Sequence, residues 1–157
     1  MAPRRRILLH PDPRLKQVAV PVSAVTLGLA LLAKGMLKTM YHARGIGLAA
    51  PQIGVSKRLI VMDCAKARGG VPCPMVLINP EVLWASKTRA VHREGCLSIP
   101  RHFAYIERPA EVRVRWLGLD GKLHEEKFTG LWATCVQHEI DHLNGKLFID
   151  HLTPMLV

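Results

Sequence analysis

Acidic side chains are scarce in this chain. Twelve Asp and Glu stand against 22 Lys and Arg, a formal net charge of +10. That balance points to a polyanionic neighbour, such as RNA or an anionic membrane, or to a plain solvated basic surface. Aromatic residues are also few, at 5%, and no basic patch interleaved with aromatics is present. None of the four cysteines forms a C-x-x-C pair. The opening MAPRRRILLHPDP has too short an apolar run for a secretory leader, so free thiols and a reducing cytoplasm are expected. Gln17 to Ala33 carries no charge, but its continuous apolar part is only about ten residues, half a bilayer span. It reads as a buried amphipathic helix, and no membrane partner is expected. Internal repeats, linkers and low-complexity tracts are absent.

What is present is enough apolar material, 49%, to exclude a disordered chain. A length of 157 residues suits one domain over 1–157 with one sizeable core. Ser23 or Thr26 caps a helix running to about His42, with apolar residues at helical spacing. Its first two turns lack charge, so its outer face serves core packing or a partner surface. RLIVMD (58–63), MVLINPEVLW (75–84) and the strictly alternating EVRVRWL (111–117) read as strands. TRAVHREGCLSIP is extended and ends at Pro100. Asp120-Gly121 turns a hairpin into KLHEEKF. A last helix covers about Thr129 to Asn144, stopped by Gly145, with KLFI as a short strand after it. The fold class expected is α+β: short antiparallel β-sheets packed around a central C-terminal helix, with an N-terminal helix.

That last helix carries QHEIDHLNG (137–145). His138 and His142, at i and i+4, share a helix face and can share a metal. The stripe Leu131, Thr134, Cys135, His138, His142 is mostly apolar and core-facing, where histidines need partners. A catalytic metal site wants a third protein ligand and an open position. The extended zinc-protease motif puts a histidine where Phe148 stands. Another protease class uses a downstream glutamate, and none follows Glu139. Asp150 and His151 remain conceivable ligands. Cys96, in EGCLSIP, is the best candidate, since a thiolate binds Fe(II) or Zn(II) strongly. Cys64, Cys73 and Cys135 fit buried structural thiols better.

GIGLAAPQ, EGCLS and QHEIDHL, in that order and spacing, resemble the three signature motifs of peptide deformylases. HPDPRL, the Asp-Gly hairpin and GKLFIDHLTP are similar to the same family, over nearly the whole chain. The resemblance implies a hydrolase that removes the formyl group from N-terminal formyl-methionine of nascent polypeptides in a bacterial cytoplasm, organellar residence being left open. Cys96, His138 and His142 then hold one divalent metal, Fe(II) first, with Zn(II), Ni(II) or Co(II) as substitutes. A metal-bound hydroxide attacks the formyl carbon. Glu139, next to a ligand but off the ligand face, moves the proton. Gln52 and the backbone N–H of Leu97 stabilise the oxyanion.

Family likeness further implies that Gly45, Ile46 and Gly47 pair with the peptide as an added strand, Ile46 offering amide and carbonyl. Glu94 and Gly95 join that substrate-binding set, and Leu131, Thr134 and Cys135 line the methionine pocket with Ile46. Thr134, His92 and Trp132 depart from the smaller or aliphatic residues usual there, and Phe103 stands near a place often held by arginine. These departures raise the alternative of an altered N-acyl or first-residue preference. Relatives often have a further C-terminal helix that docks on the ribosome. This sequence stops soon after HLTP, so transient ribosome association would rest on its positive charge. Specific DNA binding is not expected.

Overall fold

The computed structural model describes residues 5–65 and 69–152; Thr153 and Pro154 of the HLTP motif lie outside them. Helix α1 spans Leu27–His42. Strands follow as β1 (Gly47–Ala49), β2 (Leu59–Met62), β3 (Met75–Ala85), β4 (Arg89–Cys96), β5 (Ile99–Pro109), β6 (Glu111–Leu117) and β7 (Leu123–Thr129). Helix α2 spans Gly130–Leu143. Five strands form one sheet in the order β1-β2-β3-β6-β7, and β4-β5 make a separate two-stranded ribbon. The pairs are antiparallel throughout. The α+β expectation holds.

At β2 the five-stranded sheet is covered on both faces, which is why the four residues of that strand are uniformly apolar. Leu59 and Val61 face α1, joining Leu29, Leu32, Ala33, Met36 and Met40. Ile60 and Met62 face α2, joining Val136, Ile140 and Leu143. A strand buried on both sides has no use for alternation. Strand β6 has one buried face, so Val112, Val114 and Trp116 point in and Arg113 and Arg115 point out. Each large side chain taken fully from water contributes about 1.5–3 kcal/mol.

Helix α1 begins where Thr26 Oγ1 accepts from the Leu29 amide at 3.1 Å, one of the two expected caps. Its charge-free first turns are only partly core: Leu27 is 78% exposed and Leu31 46%. Among the described residues no helix is long and apolar enough to cross a membrane. Helix α2 stops at Gly145, whose φ of 74° is left-handed. A Cβ there would collide with the Lys16 carbonyl oxygen.

Two expectations fail. KLFI is not a strand: Phe148–His151 form a 3-10 turn, closed by Asp150 Oδ2 accepting from the Leu147 amide at 2.9 Å. Pro100 does not end the extended segment either. It is the second residue of β5, where Cys96 pairs with Ile99 across a tight reversal at Leu97 and Ser98. That reversal is what places Cys96 and Leu97 at the tip of the ribbon, with Cys96 beside His142 of α2.

Candidate metal centre and catalytic cavity

Three buried or half-buried side chains converge from two elements. Cys96 comes from the end of β4, and His138 and His142 from successive turns of α2. One ligand atom from each lies within 4.8 Å of the others. Cys96 Sγ is 3.4 Å from His142 Nε2. The expected Cys-His-His set is therefore assembled. Asp150 and His151 are not part of it: Asp150 pairs with Lys16 at 2.7 Å and His151 with Asp141 at 2.7 Å.

The donor chemistry fits a divalent metal. His138 Nδ1 sits 2.9 Å from Glu94 Oε1, which fixes that ring and leaves Nε2 toward the cluster. Burial drives the His142 imidazole well below its usual range, with His138 adding to it, so its neutral, ligating form is favoured. Burial also opposes charge on His138, yet hydrogen bonds to Cys96 and Glu94 lift it to about 10. That proton is one a metal would displace. His142 Nδ1 is buried with no hydrogen-bond partner.

Beside the cluster is a cavity of about 490 Å³, lined by Gly45–Gly47, Gln52, Glu94–Leu97, Leu131, Thr134, Cys135, His138 and Glu139 among others. All the expected catalytic and substrate-contacting residues meet there. Gln52 is buried and fully oriented. Its Oε1 accepts from the Ala49 amide at 2.9 Å and its Nε2 donates to Ser98 Oγ at 3.1 Å. The second N–H reaches only the Cys96 sulfur, at 3.6 Å, a weak contact that a better acceptor would replace.

Glu139 is not a solvated helix side chain. It is 4% exposed and Oε1 has no partner. Burial pushes its carboxyl up to about 7, against the pull of His138 and with help from Glu94. Gly47 makes its position available: a Cβ on Gly47 would stand 2.5 Å from Glu139 Oε2 and 2.8 Å from Cys135 Sγ.

Two groups expected to face the substrate have partners inside the fold, and one cysteine departs from expectation. Ile46 lines the cavity, but its carbonyl is used inside the fold, accepting from the Asp63 amide at 2.8 Å and from the Cys135 thiol at 3.6 Å. The Glu94 carboxylate also turns away from the cavity space, toward Arg108 at 2.7 and 3.0 Å and toward His138. Of the three cysteines read as structural, Cys64 and Cys135 are buried and Cys73 is exposed.

Residues with no role assigned from the sequence complete the surroundings. Arg108, buried in β5, bridges Glu94 to Asp141 at 2.9 Å, joining the EGCLS and HEIDH motifs. Ser98, fully buried, fixes Gln52. The available signal was chemical: Glu94 and Asp141 are acids inside otherwise buried motifs, and a buried acid needs a cation. Thr134 Oγ1 lies 2.9 Å from His92 Nδ1, and Phe103 lies beneath the Arg93 guanidinium at 4.3 Å.

Residues 4–156 match the family model for polypeptide deformylase. Peptide deformylase from Afipia carboxidovorans is 54% identical over 151 residues, covering 96% of this chain and 88% of that one. The enzyme from Mesorhizobium japonicum is 54% identical, covering 98% and 86%. Among solved structures, a peptide deformylase from Legionella pneumophila superposes with TM-score 0.90 at 45% identity, covering 97% and 88%. A Met-Ala-Ser-bound deformylase from Acinetobacter baumannii gives TM-score 0.90 at 37% identity, covering 97% and all of that chain. With a Cys-His-His group that could hold a metal beside the cavity and this match over residues 4–156, the chain belongs to the polypeptide deformylase family.

Proposed function

We propose that the chain hydrolyses the N-formyl group of formyl-methionyl peptides at a Cys96-His138-His142 metal centre. One observation carries this reading: the three ligand atoms lie within 4.8 Å of one another beside a cavity that also holds Glu139 and Gln52. Thiolate and imidazole donors suit Fe(II), with Zn(II), Ni(II) and Co(II) compatible. When bound, the metal supplies Lewis acidity that makes water a nucleophile near neutral pH.

The chain's own residues do the rest. Glu139, tuned near neutrality by burial, accepts the water's proton and delivers it to the leaving amine. The Gln52 N–H that contacts only the Cys96 sulfur, and the Leu97 amide, donate to the oxygen that gains charge as the formyl carbon becomes tetrahedral. Glu94 holds the His138 ring, and Arg108 keeps Glu94 charged in a buried place. The peptide lies between two edge strands, β1 and β4, whose backbone can pair with it. The Met-Ala-Ser bound to the Acinetobacter baumannii relative supports that class of ligand.

The methionine side chain enters beside Leu131, Cys135 and Thr134. A changed first-residue preference has less support, because the Thr134 hydroxyl is engaged by His92, which does not line the cavity. A net charge of +10 supports transient attraction to ribosomal RNA. The test is formate release from formyl-Met-Ala-Ser by the Fe(II)-loaded protein, with Cys96→Ala losing metal. Full turnover by Cys96→Ala would sink the reading.

A further inference from the structure

Arginines dominate the mouth of the cavity. Arg44 follows α1 on the β1 side, while Arg93 and Arg101 rise from β4 and β5 on the other. All three are exposed. Four other exposed arginines have carboxylate partners: Arg14 with Asp12, Arg89 with Glu107, Arg113 with Glu125 and Arg115 with Glu81; Arg5 and Arg6, also exposed, do not line the cavity. Arg44, Arg93 and Arg101 have no ion pair among the described residues. The cavity's own acids do not offset them, since Glu94 is bound to Arg108 and Glu139 is buried.

Their placement is also held. Arg93 lies over the Phe103 ring at 4.3 Å, a cation–π contact that keeps it on the rim. Arg44 and Arg101 have left-handed backbone, with φ of 59° and 67°. Only one other described non-glycine residue does, Asn79, and its side chain has a reason, bonding both the amide and carbonyl of Val22. Two of the three rim arginines thus sit on left-handed backbone, a conformation uncommon outside glycine, and their guanidinium groups make no carboxylate contact among the described residues.

We propose that this rim favours, among formylated chains, those with aspartate or glutamate in the residues just after the first methionine. The inference rests on the deformylase reading above. A chain seated in the cavity leaves between Arg44 on one wall and Arg93 and Arg101 on the other. Carboxylates there meet uncompensated guanidinium groups, and lysines meet like charge. Exposed pairs are individually weak, so the effect is a shared field that acts through capture of substrate rather than through kcat.

The experiment compares kcat/KM of the Fe(II)-loaded full chain on formyl-Met-Ala-Ser, formyl-Met-Ala-Asp-Glu and formyl-Met-Ala-Lys-Lys at low and high salt. The acidic peptide should exceed the basic one by about tenfold at low ionic strength, mostly in KM, and the ratio should fall toward one at high salt. The triple variant R44E/R93E/R101E should invert the ratio, and single Arg→Gln changes should each lower it. The ratio is internal to one preparation, so partly misfolded protein does not obscure it. No hydrolysis of the neutral peptide would overturn the deformylase reading itself. Hydrolysis of all three at equal rates, or a ratio that the triple variant leaves unchanged, would overturn the rim assignment alone.

Discussion

His138 Nδ1 and Glu94 Oε1 lie 2.9 Å apart, and Arg108 closes on the other side of the same carboxylate at 2.7 and 3.0 Å. A metal-ligating imidazole is thus oriented by a buried acid, which is in turn held charged by a buried arginine. Glu94→Gln removes the charge and leaves one acceptor oxygen, which cannot serve His138 and both Arg108 N–H groups at once. Loss of one partner of a buried ion pair costs about 3–5 kcal/mol, and loss of the group behind a ligand lowers metal affinity by about 10–100-fold. Urea unfolding and a metal titration check the two effects. Wild-type affinity in Glu94→Gln would separate this acid from the metal site.

Gly47→Ala tests the space around Glu139. The added Cβ would meet Glu139 Oε2 and Cys135 Sγ well inside contact distance, so Glu139 must shift. Overpacking of this kind costs about 1–3 kcal/mol. Metal content should stay at one equivalent while kcat falls at least about tenfold, because a misplaced proton carrier acts on the chemical step. Unchanged kcat would mean that the position of Glu139 is not limiting.

Thr134→Val tests which way the pocket wall faces. With the hydroxyl engaged by His92, its replacement by a methyl removes no group free to contact the substrate. Formyl-methionine turnover should change by no more than about threefold, and preference for methionine over serine as first residue should not widen. A tenfold gain in that preference would show a hydroxyl turned into the cavity.

The pH dependence of metal-free stability follows from Glu139. Its carboxyl is raised to about 7 by burial, so between the ordinary carboxylate value near 4.5 and about 7 the folded chain binds more protons than the unfolded one. The Glu139 contribution to stability therefore falls as pH rises through that window and levels off above it, and comparison with Glu139→Gln isolates it from the two buried histidines. Glu139→Gln removes the charged form, and the metal-free variant should gain up to about 3 kcal/mol over wild type at pH 8 while matching it near pH 4. Chemical denaturation of both proteins across that range gives the comparison. A constant difference at every pH would exclude the linkage.

The parts of the fold readable from sequence are those where one local rule decides. EVRVRWL alternates because β6 has one wet face, and Thr26 and Gly145 bound helices by capping and by φ. Strand β5 was hidden because IPRHFAYIERP sits in a two-stranded ribbon with little core beneath it, so its pattern follows no simple period. KLFI has strand-like composition, but Asp150 folds back on the Leu147 amide and makes a turn. The metal ligands were legible through motif chemistry. Arg108 was not, since its use depends on Glu94 and Asp141 meeting across 14 and 33 residues of chain. The Thr134–His92 bond spans 42 residues and was equally out of reach, so Thr134 looked like an exposed polar fault in the pocket.

The most direct test of the account is formate release from formyl-Met-Ala-Ser by anaerobically prepared, Fe(II)-loaded wild type and Glu139→Gln. Glu139 is buried beside the metal ligands without a partner for Oε1, so the variant should keep its metal and lose at least about a hundredfold in kcat. Metal-loaded wild type that releases no formate, or a Glu139→Gln variant as fast as wild type, would contradict it.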